Sequence, residues 1–110
     1  MSKSIKISTK DGKDYTITYT RKTVTIMSQN GFKIEDVRDT PITGIPQLFA
    51  GAFLRYHRNI KQELVDEIWA SIPNKEDFIL ALIDMYQEPI EALIDEPEDE
   101  TKNSKWEIIS

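Results

Sequence analysis

The 110-residue chain has no cysteine, a single histidine and four glycines. Without cysteine it can form no disulfide, no thiolate nucleophile and no zinc–thiolate site, and nothing in the sequence points to an oxidising compartment. No apolar run approaches the roughly 20 residues that a bilayer-spanning helix needs, and the first residues lead into an alternating pattern instead of a signal-peptide core. These absences predict a cytoplasmic protein that neither crosses a membrane nor is anchored to one.

The familiar motifs of enzymes and metal sites are missing as well. The glycines, at positions 12, 31, 44 and 51, form neither a dinucleotide-binding nor a P-loop fingerprint. His57 lacks the partners of a catalytic triad or a transition-metal site, and we interpret it as a surface residue near a helix C-terminus. The acidic residues lack the spacing of a calcium-binding loop, and adjacent acids such as Asp66 and Glu67 are common on solvated helix faces. We predict no enzymatic activity, no metal site and no cofactor.

Charge is abundant and unevenly distributed along the chain. Residues 1–61 contain 11 Lys and Arg against 5 Asp and Glu, a charge of +6, whereas residues 62–110 contain 3 against 14, a charge of −11. Such polarity can steer a partner or drive head-to-tail association into a homo-oligomer, although salt screens much of it. Pairing of the two halves within one molecule is the simpler interpretation and the one we favour.

The first third of the chain predicts a hairpin followed by a short helix. Apolar and polar residues alternate over 5–7 and 15–19, with the turn signal Asp11-Gly12 between them. Residues 21–30 lose this alternation and precede Gly31, which predicts a helix closed by a glycine at positive φ. Segment 32–37 alternates again but is interrupted by charges, and predicts either a third strand or an extended connection.

Two amphipathic helices are predicted in the middle of the chain. Thr43 is a plausible N-cap with Pro46 in the first turn, and an apolar stripe then continues to Tyr56. Asn59 and the glutamine three residues later resemble a capping box, which predicts a second helix ending before Pro73. Both segments show the periodicity of helices that bury one face.

A third helix is predicted after Asn74, and it contains six consecutive apolar residues over 78–83. Such a helix is either central to the core, which we favour, or leaves a hydrophobic patch for a partner. Pro89 predicts a kink or a fresh helix start, and the ordered domain is expected to end near Asp95. The sequence thus predicts one α+β domain over residues 1–95, with an N-terminal β-hairpin before three to four amphipathic helices, and a flexible acidic tail over 96–110.

Two sets of residues are candidates for binding. Apolar residues of the helical half are candidates for contact with a protein partner: Phe49, Phe53, Trp69, Phe78 and Leu82. A small basic cluster, formed by Arg55, Arg58 and Lys61, is the local candidate for contact with nucleic acid. The net charge of −5 and the acidic tail favour a solvated helix end over a nucleic-acid site for this cluster.

Longer stretches of the chain resemble a known family. The strings are TRKTV at 20–24, GF at 31–32, LFAGAF at 48–53 and EPIEALIDE at 88–96. In their order and spacing they resemble, over residues 15–96, the short phage and prophage tail assembly chaperones of long-tailed phages of Gram-positive bacteria. None of the strings is a catalytic signature, so the resemblance carries over no active-site residues.

The resemblance implies a binding role without turnover in the bacterial host cytoplasm. Such a chaperone coats the long, helix-prone tape measure protein and keeps it soluble until tail tube subunits, the major tail protein, polymerise around it. Two alternatives come from other functional classes. One is a structural tail component of the connector or tail completion type that forms rings or stacks. The other is a small regulator that contacts nucleic acid through the basic cluster.

Overall fold

A computed structural model describes residues 3–97 and 104–109 and has an α+β fold. Strands β1 (Ser4–Ser8) and β2 (Asp14–Thr18) form an antiparallel hairpin. In its register Ile5 lies opposite Ile17, and Ile7 lies opposite Tyr15. Because these side chains share one face, the hairpin buries its apolar positions against the helices, and the predicted hairpin is confirmed.

The outer edge of β2 is covered by the segment that follows the third helix. The Thr18 N–H donates to the Ala52 carbonyl at 3.1 Å, and the Thr16 N–H donates to His57 Nε2 at 3.3 Å. These bonds satisfy donors that an exposed sheet edge would leave free. The hairpin and segment 52–57 are therefore held together by one main-chain hydrogen bond and one bond from the main chain to the His57 ring.

Segment 32–37 forms no strand, so the third-strand alternative is wrong. Phe32 is buried, and the chain then turns through hydrogen bonds from Asp36 N to the Lys33 carbonyl and from Val37 N to the Ile34 carbonyl. The short helix α2 (Asp36–Asp39) follows. Ile34 packs against the core from a turn and Val37 does so from α2, so neither side chain needs a strand to become partly buried.

Helix α1 (Arg21–Gln29) lies where the sequence predicts it. The Thr23 N–H donates to Thr20 Oγ1 at 3.1 Å, and the Thr20 N–H donates back to Thr23 Oγ1 at 2.9 Å. At the other end Gly31 has a φ of 92° and its N–H donates to the Ser28 carbonyl. Both ends of the helix are thus capped by local bonds.

Helix α3 (Pro41–Gly51) begins earlier than predicted. Its N-cap is Thr40, and Pro41 occupies the first turn, where its missing N–H leaves no bond unmade. Thr43, the predicted N-cap, therefore lies inside the helix, as does Pro46. The helix ends at Gly51, and turns continue the chain over residues 52–56.

The last two helices are α4 (Gln62–Ser71) and α5 (Lys75–Glu91). The N-cap of α4 is Lys61 with no side-chain capping bond, so the predicted capping role of Asn59 is wrong, while the predicted end before Pro73 is confirmed. Asn74 is the N-cap of α5 but has a left-handed backbone and makes no side-chain capping bond. The helix runs through Pro89 without a fresh start.

The core lies between the hairpin and helices α1, α3, α4 and α5. Its largest fully buried side chains come from all parts of the chain: Ile17, Tyr19, Leu48, Phe49, Phe53, Leu82 and Met85. Within the apolar run over 78–83 only Leu82 is buried, and Leu80 is exposed. The interpretation of α5 as a fully enclosed helix is therefore wrong, because one of its faces remains uncovered. Within the described parts of the chain, no helix has the length and apolarity needed to cross a membrane.

The two oppositely charged halves scarcely pair with each other. Three ion pairs occur among residues 3–97 and 104–109, and two of them, Lys6–Asp14 and Arg38–Asp39, lie within the basic half. One, between Lys3 Nζ and Asp84 Oδ2 at 2.6 Å, joins the halves. Intramolecular pairing, the favoured interpretation of the charge polarity, is thus wrong for this described region, and most charges face solvent.

Candidate functional site

The structure separates the five predicted partner-binding residues into two groups. Phe49, Phe53 and Leu82 are at most 1% exposed, so the prediction that they form a surface is wrong. Their side chains belong to the core. Trp69 and Phe78 are half-buried neighbours with ring centroids 5.9 Å apart, and both rings contact Phe49.

One stretch of exposed apolar surface lies along α5 and the turn that follows it, while Ile42 on α3 and the side chains of Trp106, Ile108 and Ile109 are exposed elsewhere. We define the apolar strip as Leu80, Ile83, Ile90 and Ile94, with Gln87 in its middle. Leu80, Ile90 and Ile94 are 64%, 43% and 83% exposed, while Ile83 is partly buried against the core. The strip therefore presents aliphatic side chains to solvent along α5 and in the turn after it.

The geometry of α5 explains why the strip is left uncovered. The helix packs on the rest of the molecule through Leu82, Met85 and Tyr86, which are buried. With 3.6 residues per turn, Leu80 lies more than half a turn around the helix from Leu82 and so points away from the core. The alternating spacings of three and four residues from Leu80 to Ile94 indicate a second apolar face of the helix. The run of six apolar residues over 78–83 makes this spacing hard to recognise in the sequence.

Carboxylates line one side of the apolar strip. Asp77, Asp84 and Glu91 are exposed and follow one another at intervals of seven residues. The Lys3 ammonium binds Asp84, and the Lys3 backbone N–H donates to Glu88 Oε2 at 3.2 Å. The hydrogen bond to Asp84 and the negative charge of that carboxylate raise the pKa of Lys3. We call Asp77, Asp84 and Glu91 the acidic row.

A second surface feature is a groove of about 800 Å³ between the start of α1 and segment 54–60. Arg21 and Lys22 line it from one side, and Arg55 and Arg58 line it from the other. In the part of the chain that the structure describes, none of these four cations forms an ion pair. Lys61 does not line the groove and lies at the N-cap of α4. We call this feature the basic groove.

The basic groove agrees only in part with the predicted basic cluster. Arg55 and Arg58 are brought together as predicted, and the Arg55 guanidinium also lies 5.0 Å from the centroid of the Tyr56 ring. Arg21 and Lys22 were missed because they are distant in sequence. They line the groove because the tertiary fold places segment 54–60 beside the start of α1.

Comparison with protein families gives one match. Over residues 1–109 the chain matches the family model described as a domain of unknown function, DUF5055. The chain belongs to the DUF5055 family. Neither the comparison with curated proteins nor that with solved structures gives a match. Function must therefore be argued from the surfaces of the DUF5055 domain itself.

His57 has a structural role in this DUF5055 domain. Its ring is half-buried, with centroids 5.4 Å from Tyr15 and 6.0 Å from Phe53, and its Nε2 accepts the bond from Thr16. The predicted surface position holds only in part, because the ring lines the basic groove but also packs against the hairpin. Among residues 3–97 and 104–109, no group of three His, Asp or Glu side chains is arranged to hold a metal ion.

Proposed function

We propose that this DUF5055 protein is a non-catalytic phage tail assembly chaperone that binds the tape measure protein and keeps it soluble in the bacterial host cytoplasm. The observation that carries this proposal is the apolar strip on α5. A tape measure protein is long, helix-prone and apolar, and an exposed row of aliphatic side chains fits a helical segment of such a partner. The resemblance of residues 15–96 to tail assembly chaperones supports the same conclusion.

The proposed mechanism is reversible burial of apolar surface. Complete burial of one aliphatic side chain contributes about 1.5–3 kcal/mol, and the strip offers three that are largely or partly exposed. Losses of rotational and conformational freedom offset part of this gain, which suits a complex that must dissociate when tube subunits arrive. The net charge of −5 on the chain would help to keep the complex in solution by charge repulsion between complexes.

The test is co-expression with the tape measure protein of the same tail gene cluster. With the wild-type chain we expect soluble tape measure protein that is recovered in a pull-down. The variant Leu80→Ser/Ile90→Ser removes two exposed aliphatic side chains of the strip and should return the tape measure protein to the pellet. Ile42→Ser on α3 is the matched control, because Ile42 is 85% exposed and lies outside the strip.

Two results would contradict this proposal. Absence of a soluble complex with the wild-type chain would reject the chaperone function. Equal solubilisation by the wild type and by Leu80→Ser/Ile90→Ser would reject the strip as the binding surface. Because both substituted side chains are exposed, the variant should keep the wild-type unfolding transition, and this is checked by urea denaturation.

A second candidate function is a structural tail component that forms rings or stacks. The observation in its favour is the basic groove, whose four cations have no ion-pair partner among the described residues, together with the excess of acid after residue 61. Heterologous contacts between such surfaces generate rings or filaments. Mass spectrometry of purified particles separates the two functions, because a structural component remains in the mature tail and a chaperone does not.

A further inference from the structure

We propose that the apolar strip accepts a helix that has its own apolar heptad seam and a row of lysine or arginine residues beside that seam. This inference rests on the proposed function only in placing the partner on the strip, and it adds the chemistry by which a partner is recognised. Three features of α5 lead to it: the spacing of the strip, the acidic row and the position of Lys3.

The spacing of the strip is that of a coiled-coil seam. From Leu80 through Ile83, Gln87 and Ile90 to Ile94 the separations are three, four, three and four residues. Apolar residues at these intervals occupy the a and d positions of a heptad repeat and interlock with a partner helix of the same pattern. Within α5, which ends at Glu91, the seam runs from Leu80 to Ile90 and extends for roughly 15 Å at about 1.5 Å per residue, and Ile94 follows it in the turn after the helix. The strip therefore has room for about one and a half heptads of a partner.

The acidic row occupies one fixed position beside this seam. With Leu80 at position a, the residues Asp77, Asp84 and Glu91 all fall at position e. Residues at the e and g positions determine which helices pair, because they meet the flanking residues of the partner. On the other flank Ile79 and Tyr86 occupy position g, where Tyr86 is buried and Ile79 partly buried. Charge recognition is thus concentrated on the acidic row.

Lys3 shows that the acidic row can bind an ammonium group. Its Nζ lies 2.6 Å from Asp84 Oδ2, although Lys3 precedes β1 and Asp84 lies on α5. Asp77 and Glu91 have no ion-pair partner within residues 3–97 and 104–109. Lysine or arginine residues on a docked helix would meet these two carboxylates in the same manner.

The same charges disfavour a second copy of the chain as the occupant. Antiparallel pairing of two strips would place one acidic row against the other, and like charges brought together across an interface reduce affinity. Parallel pairing would direct the acidic row of one copy towards Ile79 and Tyr86 of the other, which face their own core. A partner helix of different sequence with lysine or arginine beside its seam can pair with the acidic row whether it docks parallel or antiparallel to α5.

Gln87 adds a condition on the register of the partner. Its exposed amide lies in the middle of the strip, and docking would remove it from water. A buried amide without a hydrogen-bond partner is unfavourable, so the best partner helix has a polar side chain opposite Gln87. Polar residues at single seam positions fix the register of coiled coils in this way.

The experiment compares two synthetic peptides of about three heptads. Both have leucine at the seam positions and one central asparagine, and they differ only in having lysine or glutamate at the flanking positions. Fluorescence anisotropy of each labelled peptide is measured against the full chain. We expect the lysine peptide to bind at least about tenfold more tightly. Its advantage should shrink as NaCl is raised from about 0.05 M to about 0.5 M.

Charge reversal on the protein supplies the decisive comparison. Asp84→Lys/Glu91→Lys should reverse the preference in favour of the glutamate peptide. The control Asp66→Lys/Glu67→Lys changes the net charge equally on α4, away from the strip, and should leave the preference for lysine intact. Equal binding of the two peptides, absence of binding, or a preference that survives reversal of the acidic row would overturn the proposal.

These outcomes are independent of the tape measure experiment. If the peptide preference reverses as expected but the tape measure protein is not solubilised, the chaperone function fails and the recognition chemistry stands. If the tape measure protein is solubilised through Leu80 and Ile90 but the peptides bind equally, the chaperone function stands and the inferred basic flank is wrong.

Discussion

At the scale of single residues, Gly44 sets the distance between α2 and α3. A Cβ at this position would lie 2.4 Å from the Asp36 carbonyl group and 2.6 Å from the Val37 nitrogen. These are backbone atoms, so the two helices would have to move apart. We expect Gly44→Ala to lower the free energy of unfolding by about 1–3 kcal/mol, even though alanine favours helix by about 1 kcal/mol.

Gly51→Ala is the matched comparison for this prediction. A Cβ at Gly51 would also meet atoms at 2.4 Å, but they are Cε and Sδ of Met27, the mobile end of a side chain. We expect Gly51→Ala to lower the free energy of unfolding clearly less than Gly44→Ala does. Urea denaturation of both variants measures the two values. Similar losses would mean that backbone contact at Gly44 does not limit the packing of α2 on α3.

Tyr19 predicts a dependence of stability on alkaline pH. Its hydroxyl donates to the Leu48 carbonyl, one of the last four carbonyls of α3, at 2.5 Å. Burial, and then the charge of Tyr86, raise the pKa of Tyr19 well above its ordinary value of 10.0. The folded chain therefore holds this proton at a pH where the unfolded chain has released it. Stability is fully present below pH 10 and falls as the pH rises above it, by up to about 1.4 kcal/mol per unit.

The variant Tyr19→Phe isolates this effect. At neutral pH we expect it to lower the free energy of unfolding by about 1–2 kcal/mol, because the Leu48 carbonyl loses its donor. Above pH 10 its stability should fall less steeply than that of the wild type, with Tyr86, whose pKa burial also raises, supplying the remaining slope. Urea titrations at several pH values measure both effects, and parallel pH profiles of wild type and variant would show that Tyr19 does not contribute.

At the scale of elements, the capping of α1 can be measured directly. Thr20→Ala removes the oxygen that accepts from the Thr23 N–H and should cost about 1 kcal/mol. Thr25→Ala in the same helix is the control, because Thr25 is exposed and its hydroxyl donates only to the Arg21 carbonyl. We expect that change to stay within about 0.5 kcal/mol. Equal effects in thermal denaturation would argue against a stabilising cap.

The sequence predicted elements whose signals are local. The hairpin and α1 depend on alternation, on capping residues and on Gly31, and all of these lie within the segments themselves. The sequence predicts the wrong start for α3 because both Thr40-Pro41 and Thr43 are acceptable helix N-termini. The local pattern does not distinguish them, whereas packing against α2 depends on the tertiary fold. Continuation of α5 through Pro89 likewise depends on the core contacts of its buried face, which outweigh the local breaking tendency of proline.

The candidate surfaces were harder to predict than the elements. The basic groove needs residues 21–22 beside residues 54–60, and no local pattern encodes that contact. Phe49, Phe53 and Leu82 were assigned to a surface because an amphipathic stripe shows which residues share a face, and only the tertiary fold shows whether another element covers it. The apolar strip is visible only once the buried face of α5 is known.

At the scale of the whole molecule, the boundary of the folded domain can be tested by truncation. The sequence predicts that the domain ends near Asp95, and the described residues beyond it, 96–97 and 104–109, are exposed and contribute nothing to the core cluster. Residues 98–103 and 110 lie outside the described part. We expect a chain that ends at Asp95 to keep its free energy of unfolding within about 0.5 kcal/mol, with an unchanged denaturant m-value.

A larger truncation, which removes part of α5, is the comparison for this prediction. A chain that ends at Asp84 also loses Met85 and Tyr86, which are buried and pack in the core, and Tyr86 contacts the rings of Tyr19 and Phe32. Loss of two large core side chains costs several kcal/mol, comparable with the whole stability of a small domain, so this chain should not show a cooperative unfolding transition. If the chain ending at Asp95 also lost more than about 1 kcal/mol, residues after Asp95 would have to stabilise the domain, and its boundary would lie further towards the C-terminus.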